Sequence, residues 1–322
     1  MKSVSILVTE HAVPASVTDT YDAFSIANKF LLESGKDPAF HLKAVGLTAK
    51  VKLANGLVDI NTEALIDNVD KTDLIIIPAL DGNINHALET NYKFIPWLLD
   101  RYNGGSEIAS LCIGSFLLAK TGLLTGMRCA THWKFQNDLK KMFPTLQIVE
   151  GKILTEQNGI YTSGGANAYW NLLLYLIERH TSREVAVKAC KYFLIDMTKH
   201  SQLPFTIFSG QKEHDDQVVL EAQQLLEKEF ADQFSVNDLA RRFGLGRRTF
   251  ERRFKNATSN TIINYIQRIR IEVAKRHLED HKKTISEIMY DVGYNDAKAF
   301  RAIFKKHAGV LPLNYRNKFS NK

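Results

Sequence analysis

The sequence lacks any apolar run approaching the roughly 20 residues that a membrane-spanning helix requires, so we expect no bilayer-crossing segment. The stretch from Met1 to Val13 holds one lysine and no small-residue cleavage site after an apolar run, which argues against a signal peptide. Cysteine is also scarce: three residues are an odd number, and their spacing fits neither a disulfide framework nor a metal site. These absences predict a reduced, cytoplasmic protein without a metal or other cofactor, in which any cysteine chemistry uses one thiol.

Acidic residues are fewer than basic residues in only one part of the chain. Residues 1–214 carry 21 Lys+Arg and 21 Asp+Glu, whereas residues 215–322 carry 21 and 14, so the whole net charge of +7 lies in the last third. A basic excess confined to one segment predicts a polyanion partner, above all double-stranded DNA. The alternative is a basic tail that has no partner.

Strand and helix signals alternate through the first two-thirds of the 322 residues. Strands are predicted at Val4–Val8, Phe40–Val45, Asp73–Ile77 and Ile108–Leu111, and a hairpin turning at Asn158-Gly159 within Ile153–Thr162. Helices are predicted at Thr20–Leu32, Tyr92–Tyr102, Gly114–Thr121 and Ala166–Glu178. Residues 1–200 are therefore predicted to form an α/β domain with a doubly wound, largely parallel, flavodoxin-like sheet.

The chain changes character after this domain. Residues 201–216 hold Pro204, Gly210 and a polar run, which indicates a linker with little apolar content of its own. Beyond it every segment is helical, so residues 217–322 are predicted to form a separate all-α domain. The predicted helices are Gln217–Phe230, Ser235–Phe243, Arg247–Lys255, Ile262–Leu278, Thr284–Val292 and Asp296–His307.

An internal repeat divides the helical domain into two similar halves. Leu239–Gly244 and Ile288–Gly293 are both helix ends followed by glycine, 49 residues apart. After one inserted residue, Phe250, Phe254, Lys255 and Tyr265 recur as Phe300, Phe304, Lys305 and Tyr315. Two copies of helix, glycine turn and helix predict two helix-turn-helix units, whose second helices enter the major groove of DNA.

Basic residues cluster on these two predicted recognition helices. With the phenylalanines turned to the core, the remaining positions face outward and can reach phosphates or base edges. The candidate DNA-binding residues are Arg247, Arg248, Thr249, Arg252 and Arg253 in the first unit, and Asn295, Asp296, Lys298, Arg301 and Lys305 in the second. The alternative is a plain helical bundle whose charges are only solvated.

The stretch Ser235 to Phe319 resembles the DNA-binding domain of the AraC/XylS transcriptional regulators. Its closing segment, Gly309 to Arg316, matches that family's G-x-x-P-x-x-Y-R ending. Ser259 and Ile262 stand where the family usually has Gly and Pro, which puts the local loop of the first unit in question. The resemblance implies two helix-turn-helix units joined by the long helix and reading successive major grooves.

Cys112 lies where a strand gives way to a helix, in Ser110-Leu-Cys-Ile-Gly114, the layout of a nucleophile elbow. The positive end of the helix dipole is expected to lower the pKa of the thiol there, and His132 is the candidate partner. A lone cysteine is, however, also a common small buried residue, and His132 beside Trp133 can equally be a core histidine.

The run from Ser110 to Gly126, with Ala130 to Trp133 and Tyr161 to Gly164, resembles the amidase-like domain that a subgroup of AraC-type regulators carries. That domain belongs to the PfpI/ThiJ-like members of the glutamine amidotransferase-like superfamily. No His-x-Glu pair accompanies the thiol, Ile113 stands where PfpI-type peptidases have histidine, and Ser16 or Val17 falls near the usual acidic position, with Asp22 one turn too late. We therefore expect no catalytic residues, only a vestigial nucleophile, Cys112.

The same elbow can bind a ligand, because doubly wound sheets place ligands beyond the carboxyl ends of their strands and a helix start offers free N–H groups. The candidate ligand-binding residues are Asp81, Gly82, Cys112, Ile113, His132, Ser163 and Gly164. Ser163-Gly164-Gly165 can alternatively be no more than a helix cap and tight turn.

Two functions follow from these features. The first is a homodimeric, sequence-specific transcription regulator that responds to an unknown small-molecule effector, pairing its subunits through the α/β domain. The second is an active cysteine-dependent hydrolase or amidase with a DNA-binding tail.

Overall fold

The computed structural model describes residues 1–197, 201–280 and 282–320. They form two compact units, Met1–Gln202 and Leu203–Lys322. The first is an α/β unit and the second is entirely helical.

A seven-stranded sheet forms the centre of the α/β unit, in the order β10-β11-β7-β6-β1-β2-β5. All neighbours are parallel except β10 and β11, which form an antiparallel hairpin through Asn158 and Gly159. The strands are β1 Lys2–Val8, β2 Phe40–Gly46, β3 Lys50–Leu53, β4 Val58–Asn61, β5 Ala64–Leu65, β6 Leu74–Ile77, β7 Glu107–Ser110, β8 Arg128–Cys129, β9 Gln147–Ile148, β10 Leu154–Gln157 and β11 Ile160–Ser163; β3 pairs with β4 and β8 with β9 outside the main sheet. The predicted doubly wound sheet is confirmed.

Helices cover both faces of this sheet because its central strands are apolar on both sides. β6 is buried along its whole length, as expected for an inner parallel strand. On one face α1, α6 and α7 pack against Val4 and Ile6, and on the other α2, α3 and α4 pack against Leu7 and Ile75. The helices are α1 Pro14–Glu33, α2 Ile84–Thr90, α3 Phe94–Asn103, α4 Ser115–Lys120, α5 Gln136–Met142, α6 Tyr169–His180 and α7 Arg183–Tyr192.

Some boundaries differ from the sequence prediction. α1 begins at Pro14, earlier than the predicted Thr20, since proline suits the first turn of a helix and needs no side-chain cap there. β5, β8 and β9 have two residues each, too few to show an alternation in the sequence.

The helical unit contains two copies of a helix-turn-helix. Ser235 and Thr284, which are 49 residues apart, each accept the N-capping bond that starts the first helix of a helix-turn-helix. The first pair is α9 with α10 and the second is α12 with α13. The helices are α8 Gln217–Lys228, α9 Val236–Arg242, α10 Arg247–Thr258, α11 Ile262–Glu279, α12 Ile285–Asp291, α13 Ala297–Ala308 and α14 Pro312–Phe319.

The loop of the first unit has the same backbone geometry as the loop of the second, although its residues differ. Ser259 adopts φ 57° and Gly309, 50 residues later, adopts φ 73°, so both close a helix with a left-handed residue. Ile262 and Pro312 then begin α11 and α14 at matching positions. Serine tolerates here a conformation that glycine adopts without strain.

The long helix α11 belongs to two hydrophobic cores. Its first half packs with α8, α9 and α10 through Tyr265 and Ile269, and its second half packs with α12, α13 and α14 through Ile271 and Leu278. Between them Arg270, which is 9% exposed, donates hydrogen bonds to the carbonyls of Phe230, Asp232 and Gly293 at 2.7–3.1 Å. The arginine thus ties the loop before α9 to the turn of the second helix-turn-helix.

The start of the helical unit, predicted as part of a linker, is held against α11. Lys275 donates to the carbonyl of Thr206, and the amide of Phe208 donates to Glu272 Oε2 at 3.1 Å. The ring of Phe208 also meets the ring of Tyr265, with 5.2 Å between centroids. These bonds and ring contacts hold the first half of the predicted linker against α11.

Across the described ranges, none of the helices is sufficiently long and apolar to cross a bilayer.

The two turn glycines provide a matched test of the repeat. Gly244 (φ 66°) and Gly293 (φ 79°) occupy equivalent turns, but a Cβ at Gly244 meets open space, whereas one at Gly293 would lie 2.3 Å from the Ala231 carbonyl oxygen. We expect Gly244→Ala to cost about 1–2 kcal/mol of unfolding free energy from the left-handed backbone alone. Gly293→Ala should cost about 2–5 kcal/mol because the loop at Ala231 must also move.

Urea unfolding followed by far-UV circular dichroism measures both losses, and amide exchange in α12 and α13 locates the second. Equal losses for the two variants would contradict the close approach at Gly293.

Candidate functional site

The elbow at Cys112 is fixed by close packing against the end of β6. Cys112 takes φ 53° between β7 and α4, a left-handed conformation unusual for a residue with a side chain. Two residues later, a Cβ on Gly114 would lie 2.3 Å from the Pro78 carbonyl oxygen, so only glycine fits. The role of Gly114 is therefore close approach, since its own φ of −58° is ordinary.

The backbone of Cys112 is held by hydroxyl groups from three other positions. Its amide donates to Ser163 Oγ at 3.1 Å. Its carbonyl lies 3.2 Å from both Ser115 Oγ and Thr131 Oγ1, and these two hydroxyls lie 2.8 Å apart. The structure thus brings the predicted Ser163 to the elbow and adds Ser115 and Thr131, whose small hydroxyl side chains give no sequence signal of such a role.

Burial raises the pKa of the Cys112 thiol, and the backbone N–H groups of Ala166 and Ile113, which face the sulfur, only partly oppose this. The expectation of a lowered thiol pKa is therefore wrong, because desolvation of the thiolate outweighs the N–H groups at the helix start. Ile113, one of the predicted ligand-binding residues, contributes to the elbow through its backbone amide, which faces the Cys112 sulfur.

His132 lies near the elbow but is engaged elsewhere. Its Nδ1 accepts from the amide of Lys134 at 3.1 Å, and its ring meets that of Phe135 with 5.8 Å between centroids. Burial, and then the charge of Lys134, lower the pKa of His132 and favour the neutral ring. In the described part of the chain, no hydrogen bond joins His132 to Cys112.

Ser16, which the sequence places with Val17 near the usual acidic position of related elbows, is bonded to the backbone. Its buried hydroxyl donates to the Val13 carbonyl at 2.7 Å and accepts from the Ala79 amide at 3.0 Å, so it serves the backbone around β6. Asp22 is exposed and turned outward. In the described residues, neither Ser16 nor Asp22 therefore offers the thiol a carboxylate.

A different acid lies nearby and was not predicted. Asp19, one helical turn after Ser16, accepts a hydrogen bond from the Tyr169 hydroxyl at 2.5 Å. Burial raises the pKa of Tyr169, and the bond to Asp19 and the negative charges of Asp19 and the Cys112 thiolate raise it further. The phenol thus stays protonated beside the thiol. The spacing of Ser16 and Asp19 on one helix face was the available sequence signal.

Gly164 and Gly165 provide room for two other side chains. A Cβ on Gly164 would lie 2.2 Å from Gln202 Nε2, and one on Gly165 would lie 2.2 Å from His132 Cδ2. Gln202 Oε1 accepts from the Gly165 amide at 2.7 Å. The glycine pair is therefore more than a helix cap, and Gln202 is a site residue that sequence reasoning missed.

Asp81 and Gly82 lie on an exposed loop after β6. The Asp81 amide donates to the His11 carbonyl at 2.7 Å, and its carboxylate accepts from the Gly82 amide at 2.8 Å. Over the ranges described, neither residue bonds to Cys112, Ser163 or His132. No three His, Cys, Asp or Glu side chains in those ranges converge to hold a metal ion.

The first candidate recognition helix, α10, presents most of its predicted residues to solvent. Arg247, Arg248, Thr249 and Arg252 are exposed, and Arg247 also pairs with Glu251 at 3.1 Å. Phe250 and Phe254 face the core as predicted.

Arg253 has a different position from its neighbours on α10. Its guanidinium donates two hydrogen bonds, of 2.8 and 2.6 Å, to the carboxylate of Asp216, which also N-caps α8. The bond to Arg253 holds the pKa of Asp216 below its usual value. Arg253 thus has a structural partner 37 positions away, which the sequence does not reveal.

The second candidate helix, α13, also exposes its predicted residues: Asn295, Lys298, Arg301 and Lys305. Asp296 is its N-cap and accepts from the Ala299 amide at 2.5 Å. Phe300 and Phe304 fill the core beneath them.

The α/β unit and the helical unit match two different families of known proteins. Residues 2–179 match the DJ-1/PfpI family, and residues 239–318 match the helix-turn-helix domain family. The HTH-type transcriptional regulator GbdR of Pseudomonas aeruginosa is 21% identical over 319 residues, which covers 98% of this chain and 84% of that protein. The regulator CdhR of the same species is 23% identical over 274 residues, or 81% of this chain and 79% of its own.

Two solved structures share the fold of the α/β unit. Drosophila melanogaster DJ-1beta superposes with a TM-score of 0.51 at 21% identity, covering 61% of this chain and 98% of that one. An AraC family transcriptional regulator from Pseudomonas putida gives a TM-score of 0.51 at 19% identity, covering 60% and 100%. The predicted resemblance is confirmed: the chain belongs to the DJ-1/PfpI family and joins that domain to a helix-turn-helix domain of the AraC type.

Proposed function

We propose that this protein is a sequence-specific DNA-binding transcription regulator that responds to a small molecule. The observation that carries the proposal is the pair of helix-turn-helix units, whose second helices each leave a row of basic and polar side chains exposed above a phenylalanine core. Such rows suit phosphate contacts and base-edge reading in successive major grooves. The names of the relatives, which are transcriptional regulators, support the same function.

The effector site we propose is the elbow. Ser163 and Gly164 adjoin Cys112, the Ile113 amide faces its sulfur, and the His132 ring covers Gly165. Asp81 and Gly82 belong to this proposal as an outer loop beyond β6. The three free cysteines are in keeping with a reducing, cytoplasmic compartment.

We propose that the elbow binds and does not catalyse. A cysteine nucleophile requires a thiolate and a base, whereas here burial raises the thiol pKa and His132 bonds to Lys134. The rival function, an active cysteine hydrolase, would need a carboxylate where Ser16 lies.

On the DNA-facing side, replacing Arg247, Arg248 or Arg252 by alanine should weaken binding to a random-sequence duplex. Removing an arginine that neutralises one phosphate should also reduce the slope of log affinity against log salt by about one unit. Fluorescence anisotropy over a salt series measures both quantities.

Arg253→Ala is the matched control on the same helix. Because Arg253 is bonded to Asp216, we expect this variant to lower the melting temperature and leave the salt slope unchanged. A lowered slope with unaltered stability would place Arg253 on the DNA face instead.

Thiol reactivity separates binding from catalysis. Because the Cys112 pKa is raised, its thiolate fraction at pH 7 is smaller than that of an ordinary cysteine and grows only as the pH approaches that raised value. We expect slow alkylation by iodoacetamide at neutral pH that accelerates in alkaline solution, read by peptide mass spectrometry with the partly exposed Cys190 as reference. Fast labelling at pH 7, or amide turnover abolished by Cys112→Ala, would favour the hydrolase.

We further propose a homodimer formed through the α/β unit. That unit exposes Leu194 by 91% close in sequence to Tyr192, which is 57% exposed, and large apolar side chains grouped at a surface favour association. Leu194→Asp should raise the dimer dissociation constant in sedimentation equilibrium, while Leu57→Asp, at a site 84% exposed on the β3–β4 hairpin, should leave it unchanged. A wild-type chain that is monomeric at micromolar concentration would contradict the dimer.

A further inference from the structure

Gln202 is a buried amide in a site shaped to hold it. Its side chain, which is 4% exposed, accepts from the Gly165 amide at 2.7 Å and donates to the carbonyls of Lys152 and Thr131 at 2.7 and 3.1 Å. The carboxamide oxygen, which accepts, and both N–H groups of the carboxamide, which donate, are therefore all bonded to backbone groups. A carboxylate cannot do the same, since it has no proton for the two carbonyls.

The backbone around the amide is equally specific. Gln202 N donates to the Gly151 carbonyl at 2.7 Å, and Ser201 forms an antiparallel bridge with Lys152. At Gly164, any side chain would collide with the carboxamide. We define the carboxamide cradle as Gly165 N–H, Thr131 O and Lys152 O.

The cradle adjoins the elbow through two of its members. Thr131 offers its carbonyl to Gln202 and its hydroxyl to the carbonyl of Cys112. The amide of Ala166, next to Gly165, faces the Cys112 sulfur. A ligand that fills the elbow therefore meets the groups that hold Gln202.

The chain that follows Gln202 leads directly into the DNA-binding unit. Four residues later the carbonyl of Thr206 accepts from Lys275, and the amide of Phe208 donates to Glu272. Lys275 and Glu272 lie on α11, which both helix-turn-helix cores share. Gln202 is thus the last residue of the α/β unit, four residues before the first of these bonds to the helix that the two helix-turn-helix cores share.

We propose that the carboxamide cradle is a ligand site and that Gln202 is its internal occupant. A small molecule bearing a primary amide, with one acceptor and adjacent N–H donors, takes the same three bonds and displaces the side chain. Displacement frees the start of the connection to α11 and so alters DNA binding. This inference rests on the proposed function, and it names the ligand chemistry and the regulation of that site. The effector acts only through its different affinity for the occupied and vacated cradle.

The test empties the cradle and refills it with acetamide. Gln202→Ala retains Cβ, and acetamide supplies the missing methylene carbon and carboxamide. Hydrogen exchange read by mass spectrometry should show the amides of residues 201–208 exchanging about tenfold faster in this variant, because a buried hydrogen-bonded amide has been removed. Acetamide should restore the wild-type rate, and acetate at equal concentration should not. Exchange at the wild-type rate in Gln202→Ala, or equal rescue by acetate, would overturn the proposal.

Two further variants guard the result. Gln202→Glu keeps the side-chain shape but loses both donors, so it should exchange faster without acetamide rescue even where Gln202→Ala does not fold. Gln157→Ala removes a surface glutamine of the same unit, whose Oε1 accepts from the Arg128 amide, and should leave residues 201–208 and their response to acetamide unchanged.

The regulatory step has its own readout. Gln202→Ala should change affinity for a random-sequence DNA duplex by at least about fivefold, a typical allosteric coupling, and acetamide should reverse the change. Unchanged affinity in a variant whose residues 201–208 exchange rapidly would overturn the link to DNA binding. The exchange experiment contains no DNA, so its failure leaves the regulator function standing, whereas arginine variants that retain full DNA affinity would remove that function and leave the cradle intact.

Discussion

The approach of Gly114 to the Pro78 carbonyl is the constraint on which the elbow depends. β6 and β7 are parallel neighbours, and the chain leaving β7 must turn over the end of β6 before α4 can pack on the sheet. With no room for a Cβ at Gly114, the sharp turn falls on Cys112, which takes the left-handed backbone. The surrounding hydroxyls of Ser163 and Thr131 then hold both ends of that strained peptide, so its geometry is preset before any ligand arrives.

The same packing has opposite effects on the backbone of the elbow and on its thiol. Excluding water strengthens hydrogen bonds to the backbone, but it also removes the solvation that a thiolate needs. A catalytic site offsets that loss with a nearby cation or an ordered base. Here burial and the charge of Lys134 lower the pKa of His132, which favours the neutral ring, and burial and the bond to Asp19 raise the pKa of Tyr169. The N–H and hydroxyl groups that surround the elbow are oriented toward its backbone and sulfur, which supports the proposal that the elbow binds a polar ligand.

Features set by local sequence could be predicted, and those set by distant partners could not. The buried strand at Leu74–Ile77, the Asn158-Gly159 turn and the glycine turns of the repeat each follow from a few adjacent residues. The bond from Tyr169 to Asp19 spans 150 residues, and that from Arg253 to Asp216 spans 37. From the sequence, Arg252 and Arg253 are equally good candidates for DNA contacts. Only the position of Asp216 in the folded chain shows that Arg253 has a structural partner.

In the helical unit, α11 couples the two helix-turn-helix units because it packs into the hydrophobic core of each. A helix that contributes to two cores cannot rotate in one without disturbing the other, because close-packed interiors are not continuously deformable. Arg270 strengthens this coupling by holding three carbonyls from two different loops with a single guanidinium. The segment that enters the unit is bonded to Glu272 and Lys275, which lie two and five residues after Arg270 on the same helix. A displacement of that segment is therefore expected to shift both candidate recognition helices together, as the proposed coupling between the elbow and DNA binding requires.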